Sequence, residues 1–176
     1  DPARLGITDW IRAEFQLSGR QGPNCDVEGY HDANLKLLTP VNNSFLPHKE
    51  VTIAELLKQR GFISCFIGKW HLGGEGYLPT DQGFDLNFGG WDYGQPPSYY
   101  DPYTNRRLQQ GIPTLEPKET GEYLTDREAD EAVNFIKANK ENRFLLYLSH
   151  YAVHTPIQPK LNILEKYQAL KDEMGQ

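Results

Sequence analysis

The stretch Phe62-Ile63-Ser64-Cys65-Phe66-Ile67, followed at once by Gly68-Lys69-Trp70-His71-Leu72-Gly73, decides the fold of this chain. Its first half is a nearly continuous apolar run, which is typical of a strand buried on both faces of a sheet. Cys65 lies inside this run and is expected to be a buried core thiol. The second half is polar and begins and ends with glycine, which fits tight turns that approach a ligand. The pattern predicts an interior strand followed by a loop of candidate functional residues.

A helix is predicted immediately before this strand. Thr52 is a suitable N-cap, Glu55 follows as its capping-box partner, and Gly61 is suited to the C′ position. Residues 3–15 could form another short helix, and residues 16–49 indicate a long connection.

A second helix and strand follow residues 74–122, which are rich in Gly, Pro, Tyr, Asp and Asn and are expected to contain little regular structure. Thr125 is a candidate cap for a helix that runs to about Asn139. Its predicted apolar face consists of Ala129, Ala132, Val133 and Ile136. Phe144–Leu148 is the next predicted buried strand, and residues 161–173 have the pattern of an amphipathic helix.

This alternation predicts an α/β fold with a largely parallel sheet flanked by helices. Ligands of open α/β sheets bind beyond the carboxyl ends of the strands. Lys69 and His71 follow one predicted strand, and His154 follows the other. If the strands are parallel, these three side chains converge on one rim of the sheet.

Each of these residues also has a purely structural interpretation. Lys69 could be an exposed strand-end lysine, and His71 could be a locally bonded imidazole. His150 and His154 are spaced like a zinc-binding pair, but such pairs need a helix, and Pro156 disfavours one here. One of the two histidines is expected to face the site while the other bonds locally. The tyrosines at 93, 99, 100 and 103 could stack on a sugar or pack within their loops.

The composition is that of an ordinary globular protein. The chain has 24 acidic and 18 basic residues and a net charge of −6, which argues against a nucleic-acid-binding surface. No apolar run approaches the ~20 residues that a membrane span needs. Cys25 and Cys65 are too few for a disulfide scaffold.

Three segments resemble the sulfatase family. Gly68–Gly73 is similar to the second sulfatase signature, and Leu78–Asp85 also resembles the family. Leu145–Gln158 resembles the later segment that supplies a substrate-binding histidine, which we place at His154. The resemblance implies that residues 1–176 are a partial sulfatase catalytic domain with an alkaline-phosphatase-like α/β fold.

The resemblance also implies an order of catalytic residues. Asp1-Pro2-Ala3-Arg4 fits the last four positions of the motif whose first residue becomes the formylglycine nucleophile, so that residue would immediately precede Asp1. Arg4 would steady the nucleophile, and His71 would contact it. Lys69 would act in catalysis and, with His154, bind the sulfate. The expected activity of the parent protein is sulfuric ester hydrolysis, and the isolated chain is expected to be inactive.

Calcium is the cofactor that the resemblance implies, with ligands outside this chain, and no metal ligand is assigned here. The expected partner is a sulfated small molecule or carbohydrate. Family analogy favours the periplasm, secretion or the lysosome. Two alternatives remain open: a phosphomonoester or phosphonate ester hydrolase of the same superfamily, and a non-catalytic fragment or pseudo-enzyme.

Overall fold

The computed structural model describes residues 45–174. The elements are, in chain order, α1 (Ile53–Lys58), β1 (Ile63–Gly68), a short 3-10 helix (Pro79–Gln82), β2 (Leu86–Phe88), α2 (Leu124–Asn139), β3 (Phe144–Ser149) and α3 (Leu161–Glu173). The helix expected over residues 3–15, Arg4, Cys25 and most of the connection at 16–49 lie outside the described residues.

The three strands form one parallel sheet in the order β2-β1-β3. Cys65 of β1 pairs with Leu86 on one side and with Leu146 on the other. The predicted α/β fold with a parallel sheet is therefore confirmed for this part of the chain.

The central strand β1 is buried on both faces, as its apolar run predicted. Cys65 and Ile67 pack on one face against Ala132 and Phe135 of α2. On the opposite face, Phe66 packs with residues of α1 and of the segment that precedes β2, namely Ala54 and Phe84. Because successive side chains of a strand point to opposite faces of the sheet, β1 contributes to two apolar clusters, one on each face.

The first helix begins as predicted. Thr52 Oγ1 accepts a hydrogen bond from the backbone N–H of Glu55, and the Glu55 carboxylate accepts one from the N–H of Thr52, 2.6 Å away. The C-cap is Gln59, so Gly61 lies one position later than expected, with a φ of +73°.

The predicted cap of α2 is wrong, and the helix does not pack mainly through its predicted apolar face. Tyr123 is the N-cap, and Thr125 lies inside the first turn. Of the four residues on the predicted apolar face, only Ala132 is buried. The buried side chains of the helix are those of Leu124, Arg127, Glu128, Glu131, Ala132 and Phe135. The charged members can be buried because they pair with one another or with polar partners.

Residues 74–122 contain more structure than expected, since the 3-10 helix and β2 both lie there. The rest of this insertion, residues 89–122, packs around its own apolar cluster. That cluster consists of Tyr99, Tyr103, Ile112, Leu115, Leu124 and Tyr151. Tyr99 and Tyr103 are 3% and 0% exposed, so they pack in this core and are not available to stack on a sugar.

The prediction that β3 is fully buried is wrong for the described residues. Tyr147 and Leu148 are 50% and 40% exposed, and no residue of α3 is buried. Within residues 45–174, β3 pairs only with β1. Its outer edge and part of its apolar surface are therefore uncovered by this part of the chain.

None of the helices between residues 45 and 174 combines the length and the apolar character that crossing a membrane requires.

Candidate functional site

The carboxyl ends of β1 and β3 lie side by side. Gly68 pairs with Ser149 in the parallel register, and the backbone N–H of Lys69 donates a 2.6 Å hydrogen bond to the Ser149 carbonyl oxygen. Lys69 and His150 therefore leave the sheet from adjacent positions. This is the common rim that the sequence predicted for the two polar segments.

Two glycines of the Gly68–Gly73 loop are required by its conformation. Gly68 has a φ of +95°, and a β-carbon there would overlap with the Ser149 carbonyl. Gly73 has a φ of +121°, and a β-carbon would lie 2.5 Å from Cβ of Tyr77. The loop can hold this close approach to its neighbours only without side chains at these two positions.

Lys69 lines a pocket of about 270 Å³ on the α1 side of the sheet. Phe66, Trp70 and Tyr147 form apolar walls of this pocket, and Ser149 lies at its edge. The Trp70 ring is fixed by an edge-to-face contact with Phe66 at 5.1 Å. Lys69 thus borders a largely apolar pocket, and a charge beside apolar surface interacts more strongly with an oppositely charged ligand than it does in bulk water.

His71 has a strained backbone and a tightly packed ring. Its φ is +55°, which is uncommon for a residue with a side chain and costs of order 1–3 kcal/mol. Its N–H donates to the Trp91 carbonyl oxygen at 3.0 Å. The imidazole lies close against Gly94. Such strain persists only where the surroundings enforce it, and it is often found at functional sites.

His154 is exposed, and it follows β3 on a turn. Its Nδ1 lies 3.1 Å from Oγ1 of Thr155, and that hydroxyl donates to Oε1 of Gln95 at 3.0 Å. The segment Trp91–Gln95 therefore contacts both His71 and Thr155, the residue that follows His154. His71 and His154 are not among the residues that line the described pocket at Lys69.

The carboxyl group of Asp92 lies beside the loop Gly68–Gly73. Burial raises the pKa of Asp92 to about 6, and a hydrogen bond from the Gly73 backbone acts in the opposite direction. The carboxyl group gives the segment Trp91–Gln95 a second link to the loop that carries Lys69 and His71.

His150 pairs with the buried Glu128, a partner that the sequence analysis did not identify. His150 Nδ1 lies 2.6 Å from Oε2 of Glu128, whose residue is 0% exposed. The Tyr151 N–H donates to the other carboxylate oxygen at 3.4 Å. Burial raises the pKa of Glu128, while the contact with His150 lowers it. Leu124, Glu128 and Phe135 are spaced so that they share one face of the helix, and this spacing could have predicted that Glu128 is buried. It was not recognised because a glutamate is seldom assigned to a protein core.

The remaining predicted site groups are not described. Arg4 lies outside residues 45–174. Within those residues, no three His, Cys, Asp or Glu side chains lie close enough to bind one metal ion, so this part of the chain does not fit calcium.

The fold and rim define an α/β domain whose candidate anion-binding groups lie at the carboxyl ends of parallel strands. The family model described as Sulfatase matches residues 15–176. This chain belongs to the sulfatase family.

Curated relatives support the same family. The chain is 34% identical over 130 residues to the N-acetylgalactosamine-6-sulfatase of Canis lupus familiaris, covering 64% of this chain and 24% of the relative. It is 32% identical over 143 residues to the Arylsulfatase G of Rattus norvegicus, covering 64% and 27%. The chain thus spans about a quarter of the length of these relatives.

Two solved structures share the fold. The crystal structure of Ps i-CgsB is matched with a TM-score of 0.56 and 31% identity over 74% of this chain and 32% of that chain. The crystal structure of Ps i-CgsB in complex with k-i-k-neocarrahexaose is matched with a TM-score of 0.55 and 30% identity, over 72% of this chain and 32% of that one.

Proposed function

We propose that this chain is part of the catalytic domain of a sulfuric ester hydrolase and supplies basic side chains that bind the sulfate group. The observation that supports this most directly is the parallel register that ends β1 at Gly68 and β3 at Ser149. Because of this register, the loop that carries Lys69 and the turn that carries His154 both begin at the same rim of the sheet, where α/β sheets bind ligands.

Lys69 and His154 would contact the sulfate oxygens. Negative charge grows on the leaving group and is redistributed over the sulfate during cleavage of the ester, and fixed donors at these oxygens lower the barrier. The apolar wall formed by Phe66 and Trp70 in the pocket that Lys69 lines supports this role, because apolar surroundings strengthen the attraction between a cation and an anionic ligand.

His71 and Arg4 would act on the nucleophile. In this proposal the nucleophile is a formylglycine at the position preceding Asp1, whose hydrate attacks the sulfate sulfur. Arg4 would steady it, and His71 would help to expel sulfate from it afterwards. The enforced backbone conformation of His71 supports a role that needs a fixed ring orientation.

Calcium would be bound by carboxylates elsewhere in the polypeptide, where it would offset the charge of the sulfate and the nucleophile. The basic residues described here would contribute further positive charge to the binding of the sulfate.

The proposed substrate is a sulfated carbohydrate or a sulfated small molecule. Trp91 and Tyr93 belong to the segment that contacts His71, and their ring centroids lie 6.4 Å apart. Half-exposed aromatic rings beside an anion site suit the apolar face of a sugar. A sulfatase-fold neighbour in complex with a neocarrahexaose supports the carbohydrate class.

The test uses the full-length polypeptide that contains this chain, assayed with an aryl sulfate and with the corresponding aryl phosphate. Lys69→Ala should lower turnover of the sulfate by ~10²-fold or more, the scale of losing one transition-state donor. Lys49→Ala, which removes an exposed lysine, is the control. Near-normal turnover by folded Lys69→Ala would remove Lys69 from the site, and faster cleavage of the phosphate would identify a phosphoester hydrolase instead.

The two histidines provide an internal comparison. His154→Ala should impair turnover more than His150→Ala, because the His154 ring is exposed at the rim while the His150 ring is engaged with Glu128. Equal or reversed losses of kcat/KM would contradict this assignment.

A further inference from the structure

Tyr99 lies in the insertion between β2 and α2, yet its hydroxyl reaches the turn that carries His154. Tyr99 Oη lies 2.8 Å from the carbonyl oxygen of Tyr151 and 2.9 Å from that of His154. A phenol has one proton, so the two carbonyls share a single donor. One side chain thus joins the two ends of the Tyr151–His154 turn.

The carbonyl oxygen of Tyr151 also accepts a hydrogen bond from within the turn. The His154 N–H donates to the Tyr151 carbonyl oxygen at 3.0 Å, so that this oxygen accepts from both His154 and Tyr99. The Tyr151 side chain is 1% exposed, and its own hydroxyl donates to the Gly89 carbonyl oxygen at 3.0 Å. One end of the turn is therefore buried and fixed, while the His154 side chain projects into solvent.

Tyr99 is itself held firmly. Its residue is 3% exposed within the apolar cluster of the insertion. Its N–H donates to Oε1 of Gln158 at 2.8 Å, and its carbonyl oxygen accepts from the Leu124 N–H at 2.8 Å. Burial raises the pKa of Tyr99 to about 12, so the hydroxyl remains a donor throughout the neutral pH range.

We infer that Tyr99 is a positioning residue for His154: its hydroxyl holds the Tyr151–His154 turn so that the imidazole is presented at the rim of the sheet. This inference rests on the proposed function, in which His154 binds the sulfate. Tyr99 acts through the backbone of the turn and does not touch the substrate.

The test variant is Tyr99→Phe, which keeps the ring and removes only the hydroxyl. Tyr103→Phe is the matched control, because Tyr103 is fully buried in the same cluster but donates to Glu122 at 2.6 Å instead of to the turn. In the full-length polypeptide, Tyr99→Phe should lower kcat/KM for an aryl sulfate by about tenfold, the scale of a small misplacement of a catalytic group. Tyr103→Phe should retain the wild-type value when the two variants are compared at equal folded fraction.

A double-mutant cycle separates positioning from a general structural role. If Tyr99 acts through His154, Tyr99→Phe should have no further effect on kcat/KM in a His154→Ala background. Independent, multiplicative losses would overturn the inference.

Amide hydrogen exchange tests the turn without relying on activity. Tyr99→Phe should accelerate exchange of the His154 amide by roughly five- to tenfold, the effect of losing one net hydrogen bond, and Tyr103→Phe should not. Unchanged exchange at His154 would overturn the inference. If the wild-type polypeptide hydrolyses no sulfate ester while exchange responds as expected, the proposed function fails and the anchoring by Tyr99 stands.

Discussion

Gly94 lies against the imidazole ring of His71: a β-carbon on Gly94 would be 2.8 Å from Cε1 and 3.1 Å from Nε2 of the histidine. Gly94→Ala should therefore displace the ring. Since a shift of about 1 Å in a catalytic group can cost up to ~10²-fold in rate, we expect a loss of turnover between about tenfold and that limit. Steady-state kinetics with an aryl sulfate measure the effect.

Gly74→Ala is the control for this substitution. A β-carbon on Gly74 would make an ordinary 3.6 Å contact with Cβ of Asp92. Turnover close to wild type is expected for this variant, and a similar loss in both variants would show that Gly94 has no special relationship with His71.

Arg127 should be among the residues most important for stability. It is 6% exposed, and its guanidinium donates at 2.8 Å to Glu122, to Glu131 and to the Glu116 carbonyl oxygen. Arg127→Ala leaves buried carboxylates without a main partner, so we expect a loss of about 3–5 kcal/mol in the free energy of unfolding. Urea denaturation measures it, with Lys137→Ala, an exposed site on the same helix, expected to change stability by about 0.5 kcal/mol or less.

Glu128 should make stability depend on pH. Burial raises the pKa of its carboxyl group above the ordinary value, with His150 opposing the shift in part. The folded state then binds this proton more tightly than the unfolded state, so the contribution of Glu128 to stability is fully present below its unfolded pKa and is lost as the pH rises through its folded pKa.

The comparison that checks this is Glu128→Gln against wild type, unfolded by urea at several pH values between about 4 and 8. The stability of the glutamine variant relative to wild type should increase as the pH rises. Asp130→Asn removes an exposed carboxylate from the same helix and should not show this trend. A pH-independent difference for Glu128→Gln would refute the assigned direction.

Cys65 should resist alkylation in the folded protein. The residue is 0% exposed, and burial, together with the nearby Glu131 carboxylate, raises the pKa of its thiol to about 12. Because the thiolate is the reactive form, iodoacetamide at pH 8 should modify Cys65 only after unfolding in guanidinium. Peptide mass spectrometry quantifies the reaction, and rapid labelling of the native protein would contradict the burial of β1.

The sequence predicted the central strand well because several local signals agreed there. The apolar run at Phe62–Ile67, the capping box at Thr52 and the glycines that follow β1 all favour one arrangement. The alternation of helices and strands predicted that β1 and β3 are parallel, and the structure shows in addition that they are direct neighbours. The presence of Lys69 and of the residues that follow β3 at the same rim was therefore predictable, whereas the register that places Lys69 next to Ser149 was not.

The contacts that shape the rim were not predictable in this way. Glu128 and Tyr99 act over long sequence separations, on His150 and on the His154 turn respectively. Nothing in the neighbouring sequence distinguishes either residue. A buried glutamate on a helix resembles a surface residue, and a tyrosine in an irregular insertion resembles an ordinary loop residue. Strand β2 was missed for a related reason, since its three residues are too few to show a periodic pattern.

The anchoring of the His154 turn by Tyr99 has a consequence for the construction of chimeric proteins. The insertion at 89–122 carries Tyr99, while the turn lies beyond α2 and β3, so a crossover placed within α2 would combine the tyrosine of one parent with the histidine turn of another. Such hybrids would keep the contacts of the sheet, but the turn would no longer be held by the tyrosine of its own parent, and the orientation of the His154 imidazole would change. Insertions exchanged between related proteins should therefore be transferred together with residues 151–158, so that the turn and Gln158 arrive with the side chain that holds them.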